Sequence, residues 1–366
     1  MSTSYSDNFA VDEFFAFWYR LGYMSRKATL IILLVLTAVF LAWRLYQRPD
    51  STSNEVVVYV ATDQDIAEPI LNKFEEQSGI RVKPVYDTES TKSVGLVNKL
   101  MAEKNNPQAD VFWNNEVSRT IALKEDGVLA PYDSPEADGI PDQYIDDDHE
   151  WTGFSARARV LIYNTNLLAQ EMLPGTLNDL LDPKWEGKIG LANPLFGSTT
   201  SYMISLFTVM GDDAAREYLT KLSENTVVLE GNSMVRDQVA AGVLPIGFTD
   251  TDDVNEALES GEPVAKLFLG QNDDGLGTVV FPNSVMLIKD APNEENGKKL
   301  IDFLVSVEAE ELLAQSRAVQ MPLHPDAVVP DGVLRVSDIK SMNVDWQMVA
   351  DKSTEVQTFL QDLFIR

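Results

Sequence analysis

From Glu55 onward, short β-branched runs alternate with amphipathic stretches, and this alternation restricts the chain to an α/β fold with a largely parallel sheet. Val56–Val60 reads as a buried strand. Across Asp65–Gln77, Ile66, Ile70 and Phe74 recur four apart, the spacing of a helical stripe, and Gly79 supplies its stop. Ile80–Tyr86 reads as a second strand and Thr91–Lys104 as a helix carried by Val94, Val97, Leu100 and Met101. Ala109–Trp113 is the third strand, followed by a helix over Val117–Glu125 and a stop at Gly127. In such sheets ligands lie beyond the carboxyl ends of the strands. Here those ends read Thr62-Asp63-Gln64 and Asn114-Asn115-Glu116, polar groups suited to a binding rim.

A second unit of the same kind follows. Pro131–Glu150 is an acidic, Pro-bearing excursion whose Asp146-Asp147-Asp148 run is expected to be solvated. Trp151–Asn164 is extended. Asp182–Asn193 ends in a strand, Phe196–Thr200 opens a helix running through Val209, and Asp212–Ser223 is another helix. Thr226–Leu229 is a strand, Asn232–Ala241 a helix, and Leu244–Phe248 a strand that ends in Thr249-Asp250-Thr251-Asp252-Asp253. Two α/β lobes joined by extended crossover strands are expected.

Charge and composition remove several function classes. There are 57 Asp+Glu against 29 Lys+Arg, and residues 1–50 hold five basic and four acidic side chains, so 51–366 carries 24 minus 53, or −29. That field repels phosphate backbones, which excludes a nucleic-acid partner. The chain has no Cys, which excludes thiol catalysis, disulfides, Cys-ligated zinc and a lipid-modified N-terminal Cys. With His149 and His324 as the only histidines, a multi-histidine metal centre is excluded.

Ala28–Trp43 is a sixteen-residue run free of charge, Gly and Pro. Extended through Leu45 and Tyr46 it makes a short membrane span, 28–46, close to the roughly 20 residues a bilayer needs. No small-x-small cleavage pair follows it, so the run is expected to be an uncleaved signal anchor with the N-terminus inside; the alternative is a buried core helix. Met24-Ser25-Arg26-Lys27 resembles the start of a signal sequence and offers a second translation start. Gln47–Asn54 is a polar tether. Everything after it is expected on the periplasmic or extracellular face of the cytoplasmic membrane.

Two constellations carry chemistry. Gly197-Ser198-Thr199-Thr200 places hydroxyls at a helix N-terminus, where free N–H groups and the helix dipole favour an anion; simple N-capping by Ser198 or Thr199 is the alternative. Asp250, Asp252 and Asp253 crowd a strand end, and burial of three carboxylates requires a compensating partner. A hard cation, a ligand amine or polyol hydroxyls would serve, and so would a helix N-terminus beginning at Val254. Leu244–Val254 also imitates the DxDx start of Mg²⁺-dependent aspartyl-phosphate hydrolases, with Asp250 as nucleophile. Arg157 and Arg159 on the crossover meet either an anionic ligand or the acidic groups. Of Tyr59, Tyr86, Trp113, Tyr163, Trp185 and Tyr202, most are expected to pack in the core.

Several stretches, in order over roughly 55–325, resemble the extracellular solute-binding proteins of ABC importers, and specifically their ferric-iron-binding branch. They are VVVYVATDQDIAEPILNKFEEQSGIRVKPVY, ADVFWNNE, LLDPKWEGKIGLANP, LEGNSMVRDQVAAGVLPIGF and FPNSVMLIKDAPNEENGKKLIDFLVS. The resemblance implies a type II-like periplasmic-binding-protein fold, with 55–155 and about 279–304 in the first lobe and about 156–278 and 305–366 in the second, preceded by the anchor, tether and tail of 1–54. It implies a monomer that delivers its solute to a membrane permease and performs no catalysis. Iron binders of this branch use a His, a Glu and a Tyr pair with phosphate or carbonate. At the matching positions this chain has Asp63 (or Gln64), Glu116 one residue beyond the match at Asn115, and Thr251-Asp252. The implied metal ligands are therefore Asp63, Glu116, Asp250 and Asp252, with Ser198, Thr199, Asn232 and Thr251 on the ligand side. The implied cargo is Fe³⁺ or another hard cation with phosphate or carbonate; a phosphorylated or polyol organic solute is the alternative.

Overall fold

The computed structural model describes residues 54–87 and 94–365, together with two isolated helical positions, Val35 and Thr37. Apart from those two positions, the expected anchor at 28–46 lies outside the described residues, as do the alternative start at Met24 and most of the tether. Among the described residues no helix is long and apolar enough to cross a membrane. The chain divides into two compact units, 1–53 and 54–366.

The first α/β unit forms as its periodicity requires. Strand β1 (Glu55–Val60) pairs in parallel with β2 (Arg81–Tyr86) and with β3 (Val111–Asn114). Helix α1 (Gln64–Ser78) buries Ile66, Ile70 and Phe74 and ends at Gly79, whose φ of 68° is the left-handed conformation a side chain disfavours. Helix α2 (Val94–Glu103) precedes β3, and α3 (Val117–Glu125) follows it. Pro84 sits in β2, an edge strand where its missing N–H costs no ladder bond.

After the short β4 (Leu129–Ala130), strand β5 (Thr152–Asn164) is the long crossover. Thr152–Ala158 pair antiparallel with β10 (Val280–Ile288) in the first half of the sheet. Arg159–Tyr163 pair with β8 (Ile246–Asp250) in the second half, and Leu161–Asn164 with β9 (Val264–Leu267). The sheet order is β2-β1-β3-β10-β5-β8-β6-β7, where β6 is Ile189–Ala192 and β7 is Thr226–Leu229. The chain thus passes between two lobes inside one strand, between Ala158 and Arg159. In the second lobe, helices α4 (Gly197–Met210), α5 (Asp212–Asn225), α6 (Asn232–Ala240) and α7 (Thr251–Glu259) alternate with β6, β7 and β8. Gly190 and Gly247 lie under α6, where a Cβ on Gly247 would meet Val235 Cγ1 at 2.4 Å, so the helix packs directly on bare backbone.

The C-terminal part departs from expectation. Helix α8 (Glu294–Leu304) packs on β10, and α9 (Val307–Gln315), expected on the second lobe, packs on α1, α8 and β5 of the first. Its apolar face, Ala309 and Leu313, fits the core beside Phe74 and Leu304. The last helix, α10 (Trp346–Phe364), contacts α3 of the first lobe and α4 and α5 of the second. Gln347 donates to Glu125 at 2.7 Å, while Lys352 pairs with Asp212 at 2.7 Å and Arg216 with Glu355 at 2.6 Å. The stretch 305–366 is therefore shared between the lobes. The acidic excursion is held by Lys124, which bonds Asp146 at 2.7 Å and Asp148 at 2.9 Å.

Candidate functional site

A cleft of about 1120 Å³ is lined by residues of both lobes, among them Thr62, Asp63, Asn115 and Glu116 from the first and Ser198, Asn232, Asp250 and Asp252 from the second. Both expected strand ends therefore reach the cleft, although Gln64 and Asn114 do not line it. The aromatic residues singled out above do not line the cleft; Tyr59, Trp113, Trp185 and Tyr202 are buried in the core, and the aromatic side chain on the cleft wall is Phe196.

Five helices start at the cleft wall. The N-cap positions of α1, α3, α4, α6 and α7 are Asp63, Glu116, Phe196, Gly231 and Asp250, and none makes a side-chain capping bond. By contrast, α9 and α10 are capped by Ser306 and Asp345. The first N–H groups of helices without a side-chain cap carry the positive end of the dipole, and they favour an anion. Ser198 and Thr199 lie inside α4 and do not cap it.

Their hydroxyls instead serve a buried ion pair. Arg159, on β5, bonds Asp250 Oδ1 at 3.0 Å and donates to Thr199 Oγ1 at 2.9 Å and Asn232 Oδ1 at 3.1 Å. Its guanidinium lies 5.6 Å from the Tyr202 ring and 6.0 Å from that of Phe248, so aromatic faces supply part of the solvation it loses. Asp250 Oδ2 accepts from Ser198 Oγ at 2.5 Å and Asn232 Nδ2 at 3.1 Å, with Arg157 Nε at 3.5 Å. Both oxygens of Asp250 are thus engaged by protein. That corrects the expectation of a carboxylate open to a metal, and it does not suit the nucleophile of an aspartyl-phosphate hydrolase. Thr199 and Thr251 also face away from the expected role: the first accepts from Arg159, and the second accepts from Ala158 N at 3.1 Å, fixing β5 at its passage between lobes.

Asp252 is placed differently. Its Oδ1 is buried with no hydrogen-bond partner, and oxygens of Asp250, Asp252 and Asp253 lie within 4.8 Å of one another. Burial pushes the Asp252 carboxyl up, Arg157 opposes that shift and Asp250 adds to it. Burial likewise raises Asp253 to about 7, with repulsion from Asp252 and Asp250 adding to it, although Thr249 donates to it at 2.8 Å. A carboxyl whose folded pKa is raised keeps its proton where the unfolded chain has lost it, so this contribution to stability falls as pH rises. Asp253→Asn is expected to flatten the thermal-stability profile between pH 3.8 and about 7 and to raise Tm at the upper end. An unchanged profile in thermal melts would refute this.

On the first lobe, Asp63 lies 3.9 Å from Arg317, and Glu116 accepts from Arg119 at 2.9 Å. Arg157 Nη2 reaches Asn115 O at 3.4 Å, so this hinge arginine touches both lobes. Sequence reading missed Asn283, Arg317 and Gln320 on the same wall. A signal existed for Asn283, which with Ser284 interrupts the otherwise apolar run Val280–Ile288.

A two-lobed α/β chain whose lobes close off one polar cleft invites comparison with binding proteins. Residues 106–350 match the family model for bacterial extracellular solute-binding proteins. The chain belongs to that family. Its relatives include iron uptake protein A1 of Synechocystis, 28% identical over 274 residues, covering 72% of this chain and 74% of that protein. A putative 2-aminoethylphosphonate-binding periplasmic protein of Salmonella typhimurium is 30% identical over 291 residues, covering 76% and 81%. Among solved structures, a Trichodesmium protein (IdiA, FutA) in complex with iron and citrate superposes with a TM-score of 0.75 at 24% identity, covering 84% of this chain and 98% of that one. This solute-binding protein is the extracytoplasmic component of an ABC importer, and its fold is the two-lobed one of periplasmic binding proteins.

Proposed function

We propose that this solute-binding protein captures ferric iron, or another hard cation, together with a synergistic anion, and that the two lobes close over both. The observation that carries the reading is the meeting, in one cleft, of the Asp252 and Asp253 carboxyls with the N-termini of α4 and α6, neither of which is capped by its N-cap side chain. Carboxylates suit a hard cation, and helix N-termini suit an oxyanion. Relatives named for iron uptake and ferric iron binding support the same choice. Asp252 supplies the cation ligand on the second lobe, with Asp63 and Glu116 approaching from the first. Arg157 and the opening N–H groups of α4 and α6 face the anion, on the side of the cleft that Ser198 and Asn232 line. Asp250 holds Arg159 and the hydroxyls in register, and Thr199 and Thr251 support it from behind.

The lobes divide within β5 between Ala158 and Arg159 and again just before β10, so closure bends two strands at one level. Binding is by differential contact with the closed state and involves no covalent chemistry. The segment 28–46 holds the monomer to the membrane beside its permease; the uncharged run Ala28–Trp43 within it supports this part of the reading. Native mass spectrometry of the protein purified without added ligand or chelator tests the cargo. A mass increment of iron or another metal with phosphate, carbonate or citrate is expected, and an organic adduct without metal would overturn the metal reading. The 2-aminoethylphosphonate-type relative favours one such outcome, in which Asp252 meets an amine and the helix N-termini a phosphonate.

A further inference from the structure

Two buried amides stand on the first-lobe wall, away from the acidic cluster. Asn283, on β10, is 2% exposed. Its Nδ2 donates to Phe154 O at 3.2 Å, Ser155 O at 2.9 Å and Gln320 Oε1 at 2.7 Å. Three acceptors around one nitrogen fix the orientation of the Asn283 amide, and the last of them fixes that of Gln320. With Gln320 Oε1 turned to Asn283, Nε2 is left at the other end. Gln320 lines the cleft, and its Nε2 has no acceptor among the described residues, nor is it among the side-chain nitrogens sealed from solvent. It is a donor of fixed orientation with nothing to donate to.

The backbone around this pair is held under strain. Val319 (φ 46°) and Ser155 (φ 37°) are two of the four non-glycine residues with positive φ among those described, and Val319 is β-branched. Such conformations are costly and persist only where surrounding contacts impose them. The contacts here are an antiparallel bridge in which Ala156 and Met321 exchange both backbone bonds at 2.7 Å, and the buried Glu310 carboxylate, which accepts from Ser155, Leu323 and His324 N–H groups. Together they pin residues 319–324 against β5 next to Arg157.

We propose that Gln320 is a specificity-determining residue whose Nε2 donates to an oxygen of the ligand's anionic part, opposite Ser198 and Asn232, and that Asn283 ties that contact to the hinge strand at Phe154–Ser155. The inference rests on the reading that the cargo includes an anion. A neutral amide donor suits an oxygen whose charge is already shared with a cation, and a bound anion at Gln320 is connected through two hydrogen bonds to the strand that bends.

The test compares wild type, Gln320→Met and Gln320→Glu in the full-length protein. The probes are Fe³⁺ with inorganic phosphate and an aminoalkylphosphonate, followed by calorimetric titration. Methionine removes the donor, and affinity is expected to fall about tenfold; glutamate places a negative charge there, and a fall of about a hundredfold is expected. A merely structural role gives the reverse order, because glutamate still accepts from Asn283 and methionine does not; that order, or unchanged affinities, overturns the inference while leaving the proposed cargo intact. Wild type that binds neither probe overturns both.

Discussion

Asp250→Ala is expected to cost about 3–5 kcal/mol of stability, because it leaves the Arg159 guanidinium buried without its counter-charge. The side chains of Arg159 and Asp250 are only 1% and 4% exposed, so water cannot replace what is lost. Thr199, Asn232 and the Tyr202 and Phe248 rings remain as partners for Arg159, but none of them is charged. Ser198 and Asn232 meanwhile lose the acceptor that orients them. Adding Arg159→Met removes the orphaned charge and keeps an apolar stem against the rings, so the double variant is expected to recover most of the loss. Urea denaturation with an unchanged m-value reads both effects. A single-variant loss below about 1 kcal/mol would show that the pair is solvated and that Asp250 is free to serve as a metal ligand after all.

Local pattern carried much of the fold. The stripe of Ile66, Ile70 and Phe74 and the stop at Gly79 are decided within a few residues, and the structure keeps both. Strand ends were legible for the same reason, which is why Asp63, Glu116, Asp250 and Asp252 all reach the cleft. What each group does there depends on partners distant in sequence. Asp250 is neutralised by a residue 91 positions earlier, and Thr251 is bound to one 93 positions earlier. Nothing in DTDD distinguishes the carboxylate that Arg159 holds from the one with an oxygen left unpartnered. A helical residue also projects according to its place on the turn, so adjacent hydroxyls part company: Ser198 reaches Asp250, and Thr200 turns back to Pro194 O at 2.9 Å. The C-terminal stretch misled because an amphipathic helix such as α9 states that it has a partner and not which lobe supplies it.

Asp252→Asn is expected to weaken capture of Fe³⁺ supplied with phosphate or citrate by at least about tenfold, about 1.4 kcal/mol, while leaving the empty protein as stable or more so. The two halves of this expectation have one origin. Asp252 Oδ1 has no protein partner, and the carboxyl is pushed up by burial, with Asp250 adding to the shift. Since its folded pKa is raised, its contribution to stability falls as pH rises above the ordinary carboxylate value, and at neutral pH the anionic form is a liability. A bound cation reverses that sign, because it supplies the missing charge at close range, and the binding energy then includes relief of the strain stored in the empty site. Asparagine keeps the shape and an acceptor oxygen but carries no charge to be relieved. Arg157 is the internal competitor for this carboxylate, since it opposes the raised pKa and also reaches Asn115 on the other lobe. On the proposed reading, a cation at Asp252 replaces the electrostatic support of Arg157 and leaves Arg157 to the accompanying anion. Affinity and denaturation measured on the same preparation separate the possibilities. Lost affinity with retained stability fits a ligand, and lost stability fits a support. Unchanged affinity would move the cation to Asp63 and Glu116 on the first lobe.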